Sequence, residues 1–267
     1  RESNSKVSGI VEEKDASSSE KKIKEVNSGI LATSTKNLQQ WLPKLRNNNA
    51  SKEYYLTDIV ALCSSENKKI KAINLGDTSE LLGANDNQEL HNLERIYQKE
   101  TALRFLKNGV KFADINRVDF RGEVSIGKNA FIDINVVLEG KVSIGSDSII
   151  LAGAVIRNST LSKKIKVEPY SVIENSKIGD NSMIGPFAHI GPGSELANDV
   201  EIGNFVEVKR STISQKTKAK HLAYIGDGAI DSNVNVGAGT IFVNYDGKNK
   251  NKTKVGSNAF LGSNSSL

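Results

Sequence analysis

The sequence is poor in cysteine, aromatics and long apolar runs, and each shortage excludes something. Cys63 is the single cysteine in 267 residues, so no disulfide can form within the chain. The opening residues RESNSKVSGIVEEK lack the apolar core of a signal peptide, which together with the lone thiol points to a reducing, cytoplasmic setting. No apolar run approaches the roughly 18 residues that a membrane span requires. Aromatics make up 6% of residues and do not interleave with the lysines, which argues against a base-stacking nucleic-acid platform. Nothing in the first 86 residues resembles a nucleotide-binding glycine loop.

What the chain does have is a period of six. Between Lys177 and His221, Gly179, Gly185 and Gly191 are spaced six apart and Gly203 lies eighteen beyond Gly185. The hexads open on an aliphatic residue, as in Ile178-Gly179, Ile184-Gly185, Ile190-Gly191, Ile202-Gly203, Val255-Gly256 and Leu261-Gly262, and place a compact residue four positions on, as at Ser182, Ala188, Ser194, Val206 and Ala259. Such a period suits neither a helix nor an alternating strand; it marks a solenoid. Val124-Ser-Ile-Gly127 recurs eighteen residues later as Val142-Ser-Ile-Gly145, so three hexads make one triangular coil with the aliphatic residues turned inward.

Ahead of the solenoid, residues 1–87 read as mixed α and β. Strand-like runs at Lys6-Val11, Gly29-Thr33 and Ile70-Leu75 alternate with amphipathic stretches at Asn37-Leu45 and Tyr55-Cys63. Residues 88–109 read as a connecting helix, with apolar positions at spacings of three and four and an Asn108-Gly109 stop. The solenoid occupies 110–267. The net charge of +5 is concentrated in Lys209, Arg210, Lys216, Lys218 and Lys220, and again in Lys248, Lys250, Lys252 and Lys254. These clusters suit phosphate-bearing ligands, although charge runs are most often plain solvated surface. Ser214–His221 and Phe242–Lys254 break the hexad spacing, and insertions in a solenoid commonly form loops on its binding face.

The segments NNNASKEYYLTDIV, HNLERIYQ, IGPFAHIGPG, IGNFVEVKRS, KHLAYIGD, VNVGAGTIFVNYDGKNK and FLGS follow one another in order. This set resembles the bacterial bifunctional family of N-acetylglucosamine-1-phosphate uridyltransferase and glucosamine-1-phosphate N-acetyltransferase. The resemblance implies an α/β nucleotidyltransferase-like fragment followed by a left-handed parallel β-helix. It also implies a cytoplasmic homotrimer that makes UDP-N-acetylglucosamine for cell-envelope precursors, first by acetyl transfer from acetyl-CoA to glucosamine 1-phosphate and then by uridylyl transfer from UTP. By the same resemblance His221 is the general base and Glu207 the carboxylate that orients it. Lys209, Tyr224, Asn235 and Lys250 fall on amino sugar phosphate positions, and Ala238, Asn244, Tyr245 and Ser263 on acetyl-CoA positions. Glu12, Asn27 and Asn85 fall on sugar-nucleotide positions, with Asn85 also a Mg2+ ligand. His91 and His189 lack the motif context that His221 has and read as structural, and attack is direct, so Cys63 carries no acyl group.

Three departures from the family pattern set further expectations. The glycine-rich UTP segment and the magnesium-sharing aspartate do not precede Arg1, and the further coils that complete the acetyl-CoA site do not follow Leu267. The expectation is therefore a chain truncated at both ends, with an inactive uridyltransferase part. Within the solenoid, Gly191 stands where the family has an arginine before Pro-Gly. A catalytically inert trimeric scaffold is the alternative reading. A hexapeptide zinc enzyme is disfavoured, because it needs three imidazoles and the solenoid holds only His189 and His221.

Overall fold

A computed structural model describes residues 6–74 and 81–267, which divide into two compact units, 1–89 and 90–267. In the first unit Ser34 caps helix α1, Thr35–Trp41, by accepting a hydrogen bond from the Asn37 amide. Pro43 then turns the chain through a 3-10 segment, Leu42–Lys44, and a second helix, α2, spans Asp58–Ser65. Trp41, Ile59 and Val60 are buried together, with Leu38, Leu45, Cys63 and Ile70 packed around them. The strand readings at 6–11, 29–33 and 70–74 are not met: among the described residues of this unit no segment is a strand, and Leu75 lies outside the described residues. A strand exists only through a partner's backbone, and none of these runs finds one.

The second unit is a parallel β-solenoid of the left-handed β-helix type. Helix α3, Asn87–Lys107, brings Ala102 and Phe105 into the same core as Val110, Val118 and Phe120. Gln98 fixes this junction by exchanging two hydrogen bonds with the Phe120 backbone, at 2.7 and 2.9 Å. Its 24 short strands then form three parallel sheets of nine, seven and eight strands, called here the first, second and third faces. Each coil contributes one strand to each face, so every register pair joins residues 17 or 18 apart over most of the solenoid, as in His189↔Glu207 and Glu207↔Tyr224.

The period of six places one aliphatic side chain inward per strand. Ile178, Ile184, Ile190 and Ile202 are all buried. Compact polar residues fill the corners: Ser176, Ser194, Ser211 and Thr217 are buried and bond to backbone groups of neighbouring coils. Because each aliphatic layer is buried only by the coils beside it, a cavity within one layer should be poorly repacked. Ile190→Ala is expected to lower the unfolding free energy by about 3–4 kcal/mol in urea titration.

Lys218–His221 is a regular strand of the first face, paired with Glu201–Asn204 and Asn235–Val236. The reading of Ser214–His221 as an insertion is therefore corrected. Ala219, fully buried, takes the inward position that a search for Ile, Leu or Val overlooks. Of the stretch Phe242–Lys254, only the part between Phe242, fully buried in the core, and the regular strand Thr253–Val255 leaves the coil. No helix among the described residues is long and apolar enough to cross a membrane.

Candidate active site

The corner between the first and second faces gathers residues that the sequence scatters. Asn204 and His221 are register partners at the ends of adjacent first-face strands. The stacking continues into the next turns, where the Gly239 amide bonds the Leu222 carbonyl and the Asn264 amide bonds the Ala238 carbonyl. Asn204, His221, Ala238 and Ser263 thus form one column along the solenoid axis. The first three are 17 apart, one coil each, and the fourth is 25 further on because the 242–252 loop intervenes.

His221 is exposed, and its Nδ1 lies 2.8 Å from Asn204 Oδ1. A carboxamide oxygen can only accept, so Nδ1 is the donor in this contact, and in the neutral ring Nε2 is then the nitrogen with the lone pair. Glu207, the expected orienting group, makes no hydrogen bond to His221 among the described residues. Glu207 lies beyond the corner on the second face, where its register partners are His189 and Tyr224, and its carboxylate sits 3.8 Å from His189 Nδ1. His189 in turn places Nε2 3.0 Å from Glu174.

Lys209 and Tyr224 point outward from consecutive second-face strands beside this corner. Of the basic cluster, Lys218 and Lys220 are paired with Glu201 and Arg210 with Asp227, whereas Lys209 makes no ion pair among the described residues. Asn235 projects from the first face, in register with Lys218.

Arg210, Asp227 and Asn244 are a group that motif reading missed, though their spacing of 17 could have revealed it. Arg210 grips the Asp227 carboxylate with two bonds of 2.7 Å, and Asn244 Nδ2 donates to the same carboxylate at 2.5 Å and reaches Tyr224 Oη at 3.4 Å. The Arg210 guanidinium, aided by Asn244, holds the Asp227 carboxyl down at about 2. Asn244 is thereby the anchor of the 242–252 loop. Beyond it Asp246 accepts amide bonds from Lys248 and Asn249, and exposed Tyr245 donates to the Gly247 carbonyl. Lys250 is near enough to contribute to the low pKa of Asp227. A carboxyl depressed in the fold adds stability above its unfolded value of about 3.9, and this is lost as the pH falls toward 2. Asp227→Asn is therefore expected to be less stable than wild type at pH 7, with the gap closing between about pH 4 and pH 2 in urea titrations.

The nucleotide-site readings gain no such convergence. Glu12 accepts a bond from Thr57 at 2.9 Å, Asn27 is exposed, and no hydrogen bond among the described residues joins them to Asn85. Asn85 belongs to the cap of α3: Glu89 accepts from its backbone amide and its carboxamide, while Asp86 accepts from the Glu89 amide. Magnesium needs several oxygens converging on one point, but these carboxylates are engaged with helix amides. No group of three or more His, Cys, Asp or Glu suited to a metal occurs among the described residues. The donor set therefore fits a helix cap and does not fit a magnesium site.

Residues 175–210 match the model of the bacterial transferase hexapeptide, six repeats, and 120–191 match that of the GMPPB C-terminal domain. A relative named bifunctional protein GlmU, from Baumannia cicadellinicola subsp. Homalodisca coagulata, is 48% identical over 261 residues, which is 98% of this chain and 56% of that protein. The chain belongs to the GlmU family. It spans little more than half the length of that GlmU relative. Among solved structures, a hexapeptide transferase family protein from Anaplasma phagocytophilum is similar at 16% identity over 45% of this chain and 80% of its own, with a TM-score of 0.29. The UDP-N-acetylglucosamine acyltransferase of Francisella novicida is similar at 14% identity over 54% and 62%, with a TM-score of 0.26. Likeness at that level carries no weight beside the GlmU match.

Proposed function

We propose that the solenoid transfers an acetyl group from acetyl-CoA to the amine of glucosamine 1-phosphate, on the route to UDP-N-acetylglucosamine. The observation that carries this reading is the corner column. His221 stands in line with Ala238 and Ser263, the acetyl-CoA positions, and beside the face that presents Lys209 and Tyr224 to an amino sugar phosphate. The thioester and the amine would then meet at the imidazole.

In the step itself the sugar nitrogen attacks the thioester carbonyl, a C–N bond forms, the C–S bond breaks, and coenzyme A leaves as its thiol. The attacking amine must shed a proton. Nε2 of His221 takes it, while the Nδ1–H bond to Asn204 fixes the tautomer and the ring plane. Lys209 and Lys250 supply charge for the sugar phosphate, and Asn235 a polar contact. On the coenzyme side the loop anchored by Asn244 carries Tyr245. The same corner exposes Phe187, Phe205 and Leu222 at 50%, 57% and 60%, an apolar stripe that fits a site completed by a second copy in a homotrimer.

For residues 1–87 the geometry of Glu12, Asn27 and Asn85 supports no phosphoryl-transfer step. The acetyl-transfer reading is tested by thiol release from acetyl-CoA. Release should depend on glucosamine 1-phosphate, and dependence on no amino sugar at all would refute it.

A further inference from the structure

Arg210, Asp227 and Asn244 recur at intervals of 17 and, with Tyr224, form one line of hydrogen bonds. Chemistry fixes the direction of every bond in that line. The Asp227 carboxyl is held at about 2, so near neutral pH it is ionised and can only accept. Arg210 reaches it with two bonds of 2.7 Å, one to each oxygen, and Asn244 meets Oδ2 as well. The end of Asn244 that faces this oxygen must be its amide nitrogen, because the carboxamide turned over would set oxygen against oxygen.

That nitrogen carries two hydrogens. One goes to Asp227, and the other has Tyr224 Oη as its partner at 3.4 Å. In this contact Oη is the acceptor. It plays the same part toward Arg210, whose charge the Tyr224 hydroxyl helps to hold and whose guanidinium can only donate. Among the described residues the tyrosine's own hydrogen meets no acceptor, so it is left for a ligand. Gly226 makes room for the arrangement. A Cβ there would run into Tyr224 Oη and lie 2.6 Å from Asn244 Nδ2, so the phenol and the carboxamide meet in the space a side chain would fill.

We propose that Asp227, braced by Arg210, is a positioning residue for the amino sugar phosphate. By fixing the carboxamide of Asn244 it makes the Tyr224 hydroxyl a donor toward the anionic ligand, where an accepting oxygen would repel it. The proposal rests on the acetyl-transfer reading for the identity of the ligand but not for the direction of the bonds.

The test is a double-mutant cycle of Asp227→Asn and Tyr224→Phe, read by calorimetric titration with glucosamine 1-phosphate. Asparagine at 227 offers one accepting atom to the three donors that the carboxylate serves, so Asn244 is free to turn over. Each single substitution should raise Kd about tenfold. The pair should raise it no more than about twofold beyond Tyr224→Phe alone, because Asp227 acts through the hydroxyl that Tyr224→Phe removes. A merely structural role for Asp227 would give independent losses, about a hundredfold in the pair, and would overturn the proposal. Unchanged Kd in Asp227→Asn, or a wild-type chain that does not bind the sugar phosphate, would overturn it too. If Asp227→Asn fails to fold, Asp227→Glu takes its place, keeping the charge for Arg210 while moving the carboxylate one methylene out of line with Asn244. KM and kcat for acetyl transfer, measured on the same chains, keep the two readings apart. The expected Kd ratios in a chain that transfers no acetyl group would refute the acetyl-transfer reading and leave this one standing, whereas acetyl transfer with independent losses would overturn this one alone.

Discussion

His221→Ala lowers kcat for acetyl transfer by about 10²–10⁴-fold while the Kd for glucosamine 1-phosphate stays within about threefold. The size follows from what the imidazole does: it contributes the acceptor for the proton of the attacking amine. The separation of kcat from Kd follows from where it sits, at the corner, while the charges offered to the phosphate lie on the second face and the 242–252 loop. Asn204→Ala should have a smaller effect, about tenfold on kcat, because Nδ1–H can turn to water while Nε2 survives as a base. A loss for Asn204→Ala equal to that for His221→Ala would mean that the carboxamide touches the reacting atoms itself.

Gly203→Ala is expected to cost about 3 kcal/mol or more of unfolding free energy and most of the activity. A Cβ at 203 would run into the Lys220 carbonyl and lie 2.6 Å from its carbon. The coils carrying Asn204 and His221 would have to separate at the very step where those two side chains meet. Gly191→Ala is the control, since its Cβ would approach nothing nearer than 3.3 Å, and it should cost no more than about 1 kcal/mol. Urea titration of both variants compares them directly, and equal stability would contradict the close coil contact at Gly203.

The solenoid was legible because its rule is local: an aliphatic residue, a glycine and a compact residue recur every six positions, and each reports the same inward packing. The helices were legible for the same kind of reason, with α3 declared by its apolar spacing and its Asn-Gly stop. The short strands expected near Val7, Ile30 and Ile70 were not, because a run of β-formers says nothing about whether a partner backbone is available. Lys218–His221 was misread as an insertion because Ala219, buried on the axis, does not look like a core residue when aliphatics are sought.

At the site, His221 stood out through its motif, but its partner did not. Motif likeness favours the carboxylate of Glu207, whereas coil geometry pairs residues 17 apart and so pairs His221 with Asn204. The same interval links Arg210, Asp227 and Asn244, and it is visible in the sequence once one coil length is known. Long-range contacts in a solenoid are encoded by its period more than by any motif.

The central claim is that the corner joins an acetyl donor to a sugar amine. Its most direct test is mass spectrometry of the sugar after incubation of the chain with acetyl-CoA and glucosamine 1-phosphate, with thiol release followed in the same reaction. The account predicts that the sugar gains one acetyl group for each thiol released and that both signals vanish in His221→Ala. Thiol release without acetylated sugar, or acetylated sugar formed equally well by His221→Ala, would contradict it.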